Sequence, residues 1–121
     1  MPLETPRRAK PKPLTREAAP MPEALLEMSE KRFGAVGVVA PDGTLSGLIT
    51  DGDLRRHMDG LMSHTAGEVM TRAPLTIAPG ALAAEALKVM NDRRITVLFV
   101  VDQGRPVGVL HVHDLLRAGV I

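Results

Sequence analysis

The chain has 121 residues, of which 45% are apolar and 2% aromatic, and its formal net charge at neutral pH is +1. The absence of cysteine excludes disulfides, thiolate nucleophiles and cysteine-bound zinc, and the scarcity of aromatic side chains excludes a stacking platform for single-stranded nucleic acid. No run of about 18 apolar residues and no apolar secretory leader occur, so we expect a cytoplasmic protein without a membrane partner.

The first 20 residues differ in composition from the rest of the chain. They contain five basic and two acidic side chains and five of the ten prolines. A Pro-rich, basic composition predicts a flexible or extended segment, which we place at residues 1–12. Residues 21–121 hold twelve acidic and ten basic side chains, and we therefore expect no nucleic-acid partner.

Local patterns predict one set of elements between residues 13 and 59. Pro22 suits the first turn of a helix that Gly34 ends, and the apolar run after Gly34 has the length of a strand. Pro41, Asp42 and Gly43 indicate a hairpin turn. In chain order, the predictions are a strand at 13–15, a helix at 22–32, strands at 35–39 and 44–49, and a helix at 51–59.

The same order is predicted a second time between residues 65 and 118. Thr65 and Glu68 have the spacing of a capping box, which predicts a short helix ending near Met70. The elements that follow are a strand at 75–77, a helix at 80–93, strands at 95–101 and 106–110, and a helix at 112–118.

Two sequence blocks repeat within the chain. Residues 47–56, Gly-Leu-Ile-Thr-Asp-Gly-Asp-Leu-Arg-Arg, are echoed 61 residues later by residues 108–117, Gly-Val-Leu-His-Val-His-Asp-Leu-Leu-Arg. Two similar units of about 60 residues predict two packed modules with a pseudo-symmetric cleft between them. We therefore expect an α/β (α+β) fold of two strand–helix–strand–strand–helix repeats, at residues 13–62 and 63–121.

Thr50 and Asp53 are the first candidate ligand-binding residues. A hydroxyl at a strand end and a carboxylate one helical turn later can bind a ribose diol and a phosphate, with help from backbone N–H groups at the start of the helix. The same spacing is close to that of a capping box, in which both side chains only begin the helix. The sequence leaves both interpretations open.

The second repeat carries a variation of this pair. His111 replaces the threonine and Asp114 keeps the carboxylate, so we expect an imidazole that donates to a phosphate more strongly once it is protonated. Arg94 and Thr96 lie where a helix leads into a strand near the expected cleft and are further ligand candidates. Alternatively, Arg94 only stabilises the end of the helix, because positive charges are favoured at a helix C-terminus.

Other kinds of site have little support. His111 and His113 could share one face of a strand, but no third ligand accompanies them at metal-binding spacing, so we expect no metal site. The same histidines and Asp114 are too compact for a catalytic triad. We expect neither a cofactor nor intrinsic catalysis in this chain.

The pattern Gly47-Leu48-Ile49-Thr50-Asp51-Gly52-Asp53, at the end of the first of two copies, resembles the signature of the cystathionine-β-synthase-type (CBS) domain pair. The resemblance covers residues 13–119. It implies a regulatory module that binds an adenosine nucleotide or another nucleotide between its repeats. His111 departs from the signature threonine. Sugar-phosphate isomerases with such a domain pair resemble this chain at that histidine, which implies a specialised ligand in the second repeat.

A narrower resemblance concerns the C-terminal part of arabinose-5-phosphate isomerases. It rests on residues 50–56, on Val69-Met70-Thr71 and above all on residues 108–120. It implies a nucleotide or nucleotide-sugar ligand, a parent protein in lipopolysaccharide sugar synthesis, and a catalytic sugar-isomerase domain as partner. That domain has no counterpart in this sequence, so none of the family's catalytic residues can be transferred.

A structural role is the alternative function. The pair would then only dimerise and hold catalytic domains in a tetramer, with an unoccupied cleft. Leu54, Met58, Leu61 and Leu115 could supply an aliphatic face for the homodimer that we expect.

Overall fold

The computed structural model describes residues 12–31 and 34–117. The flexible segment expected at residues 1–12 therefore lies outside the described residues except for its last position. The chain divides into two compact units, a first unit that ends at Pro74 and a second unit that begins at Leu75. None of the helices in the described ranges is long and apolar enough to cross a membrane.

The first unit is a four-stranded sheet with helices. Its sheet has the order β1-β2-β3-β4, in which β1 is parallel to β2 and the other neighbours are antiparallel. The elements are β1 (Leu14–Arg16), α1 (Met21–Lys31), β2 (Ala35–Val39), β3 (Leu45–Thr50), α2 (Asp51–Arg56), a 3-10 helix (Leu61–Ser63), α3 (Ala66–Val69) and β4 (Thr71–Arg72).

The second unit repeats this plan with a three-stranded sheet of order β5-β6-β7. Strand β5 is parallel to β6, and β6 is antiparallel to β7. Its elements are β5 (Thr76–Ile77), α4 (Ala83–Arg93), β6 (Val97–Asp102), β7 (Arg105–His111) and α5 (Val112–Arg117). The predicted mixed α/β fold, with strand–helix–strand–strand–helix order in both repeats, is confirmed.

Each unit has a largely aliphatic core, as the scarcity of aromatic residues requires, and Phe99 of β6 is the fully buried exception. The core of the first unit is formed by one face of α1, by β2 and β3, and by the segment 61–70; its buried members are Met21, Ala24, Met28, Val36, Val38, Ile49, Leu61, Ala66, Val69 and Met70. In the second unit, one face of α4 packs with β6 and α5, and the buried members are Ala83, Ala86, Met90, Leu98 and Leu115.

This packing changes the surface that was expected to mediate dimerisation. Leu61 and Leu115 are buried, and Leu54 is partly buried against the first core, so these three side chains stabilise the units themselves. Met58 alone of the predicted four is largely exposed, at 63%. The prediction of one aliphatic face from these four residues was wrong, because the two cores bury Leu61 and Leu115 and partly bury Leu54.

Three element boundaries differ from the sequence predictions by two residues or more. Helix α2 ends at Arg56 rather than at residue 59, since the chain turns at Gly60 (φ 71°) to bring Leu61 into the core. Helix α4 begins at Ala83 rather than at residue 80, because Ala81 N–H donates to the carbonyl of Ala78 (3.1 Å) and forms a turn first.

Strand β6 begins at Val97 rather than at residue 95. Arg94 adopts a left-handed conformation (φ 55°), and Ile95 N–H donates to the Met90 carbonyl at 3.0 Å. Both residues therefore close the end of α4 in the manner of a helix C-cap.

The segment between the two repeats belongs structurally to the first unit. Ala66 N–H donates to Ala19 O (2.8 Å), and Gly67 N–H donates to Glu17 O (2.9 Å). Thr65 and Glu68 form the predicted capping box. The sequence places the repeat boundary at residue 62, whereas the compact units divide after Pro74.

Strand β4, which the sequence did not predict, explains the glycine at the start of the signature. Gly47 of β3 lies opposite Arg72 of β4. A Cβ atom on Gly47 would lie 2.5 Å from Met70 Sδ and 2.8 Å from the carbonyl oxygen of Thr71. Only glycine at position 47 therefore allows β4 and the side chain of Met70 to lie this close to β3.

Gly47→Ala is expected to lower the free energy of unfolding by about 1–3 kcal/mol, because the Thr71 backbone as well as Met70 must move. Urea denaturation would measure the change. Gly80→Ala is the matched control, since a Cβ there would meet nothing within 4 Å. An equal effect of the two substitutions would contradict the role of the close approach.

Candidate functional site

Thr50 and Asp53 meet where strand β3 ends and helix α2 begins. Thr50 has extended backbone angles (φ −119°, ψ 174°), and its N–H donates to Asp53 Oδ2 at 2.9 Å. The Thr50 hydroxyl donates to the same oxygen at 3.1 Å. The two side chains form a capping box, so the helix-start interpretation is confirmed, and ligand binding by the pair stays a prediction.

The carboxylate of Asp53 is buried, with 2% of the residue exposed. Its other oxygen, Oδ1, accepts a hydrogen bond from the hydroxyl of Thr71 in β4 at 2.5 Å and pairs with the guanidinium of Arg56. Each oxygen thus has two donors. Because a carboxylate offers about four lone-pair positions, the acceptor capacity of Asp53 is filled by the protein.

These partners keep Asp53 ionised. Burial raises the pKa of the carboxyl group, but the hydrogen bonds from Thr71, Thr50 and Arg56 together outweigh burial and hold the pKa below the ordinary value for aspartate. Arg56 is mostly exposed and supplies the compensating positive charge. The site therefore contains a fixed negative charge at neutral pH.

We call the junction of β3 and α2, with Thr50 and Asp53, the first corner, and the junction of β7 and α5, with His111 and Asp114, the second corner. The second corner has a related geometry. Asp114 Oδ2 accepts the backbone N–H of His111 at 3.2 Å, as Asp53 does from Thr50. The imidazole of His111 is not simply a substitute for the threonine hydroxyl, because its Nδ1 accepts the N–H of His113 at 3.1 Å. We infer that the proton of the neutral His111 ring lies on Nε2.

The other two predicted residues lie at the same end of the second sheet. The Thr96 carbonyl accepts the N–H of Val112 at 2.8 Å, and Val97 lies opposite His111 in the β6–β7 pairing. Arg94 is exposed and forms the C-cap of α4, which agrees with its helix-end interpretation. The structure therefore brings His111, Asp114 and Thr96 to one corner of the second unit, with Arg94 two residues before Thr96.

Two partners of Asp53 were not assigned by the sequence. Arg56 follows Asp53 by three residues, and this i,i+3 spacing could have suggested the ion pair. Thr71 lies 18 residues from Asp53 and had no local signal. Within residues 12–31 and 34–117, no group of three or more His, Asp or Glu side chains could hold a metal ion.

Comparison with known proteins places these features in a family. The family model for the CBS domain matches twice, at residues 10–60 and 66–121. The chain is 49% identical over 102 residues to arabinose 5-phosphate isomerase KdsD of Pseudomonas aeruginosa, a match that covers 81% of this chain and 31% of the relative. For KdsD of Escherichia coli K12, the values are 40% over 112 residues, 90% and 34%. The chain thus spans about a third of the length of these relatives.

Solved structures agree with the sequence matches. A CBS-domain-containing protein from Agrobacterium tumefaciens superposes with a TM-score of 0.79 at 19% identity, covering 93% of both chains. The cytosolic domain of the Mg²⁺ channel MgtE, solved in complex with ATP, gives a TM-score of 0.74 at 26% identity and covers 87% of this chain and 44% of its own. The chain belongs to the CBS domain family, carries two copies of the domain, and resembles the CBS region of the KdsD isomerases.

Proposed function

We propose that this chain is a ligand-sensing regulatory CBS pair that controls an arabinose 5-phosphate isomerase in the cytoplasmic synthesis of lipopolysaccharide sugar. The observation that carries the proposal is the 49% identity to the Pseudomonas aeruginosa isomerase over 81% of this chain. The isomerase activity would belong to a catalytic sugar-isomerase domain, which is the partner we propose. Ligand binding would act by differing affinity for two states of the regulatory pair.

A nucleotide or nucleotide-sugar is the ligand class that fits the chemistry of both corners. The carboxylate of Asp114 can accept hydrogen bonds from the hydroxyl groups of a ribose, and the carboxylate of Asp53 can do so in exchange for a protein donor that it already has. His111 and Arg56 can donate to a phosphate. The MgtE domain, at 26% identity, is solved with ATP, which supports the same class of ligand for this chain.

A thermal-shift screen tests this proposal. The purified chain would be heated with nucleotides, nucleotide-sugars and simple sugar phosphates. A ligand at about 100 times its dissociation constant is expected to stabilise the folded chain by about 2.7 kcal/mol, which raises the melting temperature by about 10 °C. The nucleotide-containing compounds are expected to give the larger shifts.

Two aspartate-to-asparagine variants sharpen the screen. Asp114→Asn removes a charge at the second corner and is expected to reduce the ligand-induced shift. Asp92→Asn is the matched control, because Asp92 is exposed on α4 and pairs only with Lys88 among the contacts described for it. Equal shifts in both variants would argue against the second corner, and no shift with any nucleotide compound would contradict ligand sensing.

Assembly is the second candidate function. Met58 and Met62 are 63% and 61% exposed, and both follow helix α2 in the first unit. Exposed methionines are adaptable contact residues at protein interfaces. We propose a homodimer that uses this surface. If the screen finds no ligand while sedimentation shows a dimer that Met58→Lys dissociates, the structural role would replace the regulatory one.

A further inference from the structure

Asp53 joins three elements of the first unit that are separate in sequence. Its donors come from the end of β3 (Thr50), from α2 (Arg56) and from β4 (Thr71). We propose that Asp53 is a latch that fastens β4 to the first unit, and that a ligand using this carboxylate must displace Thr71 and Arg56 and so release β4. The coupling to a ligand rests on the proposed function; the latch in the free protein does not.

Strand β4 has few other attachments, which makes the latch important. It has two residues, both exposed, and pairs only with Gly47 and Leu48 of β3 within the sheet described. The buried Met70 anchors the chain immediately before it. Immediately after it, Ala73 has a left-handed backbone conformation (φ 50°), which is unfavourable for a residue with a Cβ atom. The hydrogen bond from Thr71 to the buried Asp53 carboxylate therefore adds a side-chain attachment to this short backbone pairing.

The four donors of Asp53 differ in how readily they can leave. The two bonds to Oδ2 belong to the capping box, and their donor, Thr50, lies three residues before Asp53 in the sequence. The bonds to Oδ1 come from an exposed guanidinium and from an edge strand. Oδ1 is therefore the oxygen at which ligand hydroxyl groups can exchange with protein donors.

A ligand that displaces Arg56 and Thr71 from Asp53 would also free both side chains for new interactions. Arg56, once separated from Asp53, could pair with a phosphate of the same ligand, so a molecule with neighbouring hydroxyl groups and a phosphate fits the exchange. Thr71, once released, leaves β4 with its backbone pairing alone. Because β4 leads through Pro74 to Leu75, ligand binding at Asp53 would loosen the chain that joins the two units.

The latch can be tested without a ligand by Thr71→Val, which keeps the side-chain shape and removes the hydroxyl. Backbone hydrogen exchange, followed residue by residue, is expected to become about tenfold faster at residues 71–73, the factor that corresponds to one hydrogen bond to a charged group. Thr76→Val is the matched control, since Thr76 is an exposed threonine in the two-residue strand β5. Unchanged exchange at residues 71–73 in Thr71→Val, in protein that melts as the wild type does, would overturn the latch.

The coupling is tested with ATP as the probe. Saturating ATP is expected to accelerate exchange at residues 71–73 in the wild type, and Thr71→Val is expected to bind ATP several-fold more tightly because one competing donor is gone. Slower exchange with ATP, or equal ATP affinities, would overturn the coupling. If ATP binds neither protein, the coupling to ATP is overturned, the thermal-shift screen still decides ligand sensing, and exchange in the free protein still decides the latch.

Discussion

Asp53→Ala is expected to lower the free energy of unfolding by about 3 kcal/mol, because it removes a buried hydrogen-bond network and the capping box of α2 in one step. The donors of Thr50 and Thr71 lose their acceptor, and Arg56 loses its ion partner. Urea denaturation at pH 7 would measure the loss. Asp59→Ala is the control, since Asp59 is exposed in a loop and its replacement should change stability by less than about 0.5 kcal/mol.

The difference in unfolding free energy between the wild type and Asp53→Ala is expected to depend on pH. The folded-state pKa of Asp53 lies below its unfolded value, so the stabilisation from this carboxylate is fully present above about pH 4 and is lost as the pH falls through the folded-state pKa. The stability difference between the wild type and Asp53→Ala should therefore shrink in acid. A difference that stayed constant from pH 7 to the acid limit of folding would contradict the assignment of the charge to this network.

Leu98→Ala is expected to cost about 2–5 kcal/mol, the range for removing a buried leucine side chain and leaving a cavity. Leu98 is fully buried in the core of the second unit, where it packs in a cluster with Ala86, Met90 and Leu115. Because the chain has so few aromatic residues, large aliphatic side chains such as Leu98 fill most of the core volume. Denaturant midpoints of wild type and variant would give the difference.

Leu26→Ala is the matched control for this substitution. It makes the same chemical change on helix α1 at a position that is 59% exposed, and it is expected to alter stability by less than about 0.5 kcal/mol. A similar loss in both variants would contradict the assignment of the effect to the burial of Leu98.

Local patterns in the sequence were enough to predict the order of elements in each repeat. The two blocks at residues 47–56 and 108–117 predicted two copies, and local signals such as Gly34 and the Thr65–Glu68 spacing predicted the elements between them. The capping interpretation of Thr50 and Asp53 was also available, because the groups involved are three residues apart. These features depend on interactions within one helical turn or one hairpin, which a local pattern records.

Long-range packing, in contrast, sets which groups share the site and where the two units divide. Thr71 reaches Asp53 because β4 pairs with β3, and that pairing depends on the missing side chain at Gly47 and on the burial of Met70. The same packing draws Leu61 inward and shortens α2. Contacts between residues far apart in sequence form where buried area and hydrogen bonds together are most favourable, and no local pattern in a single sequence records that balance.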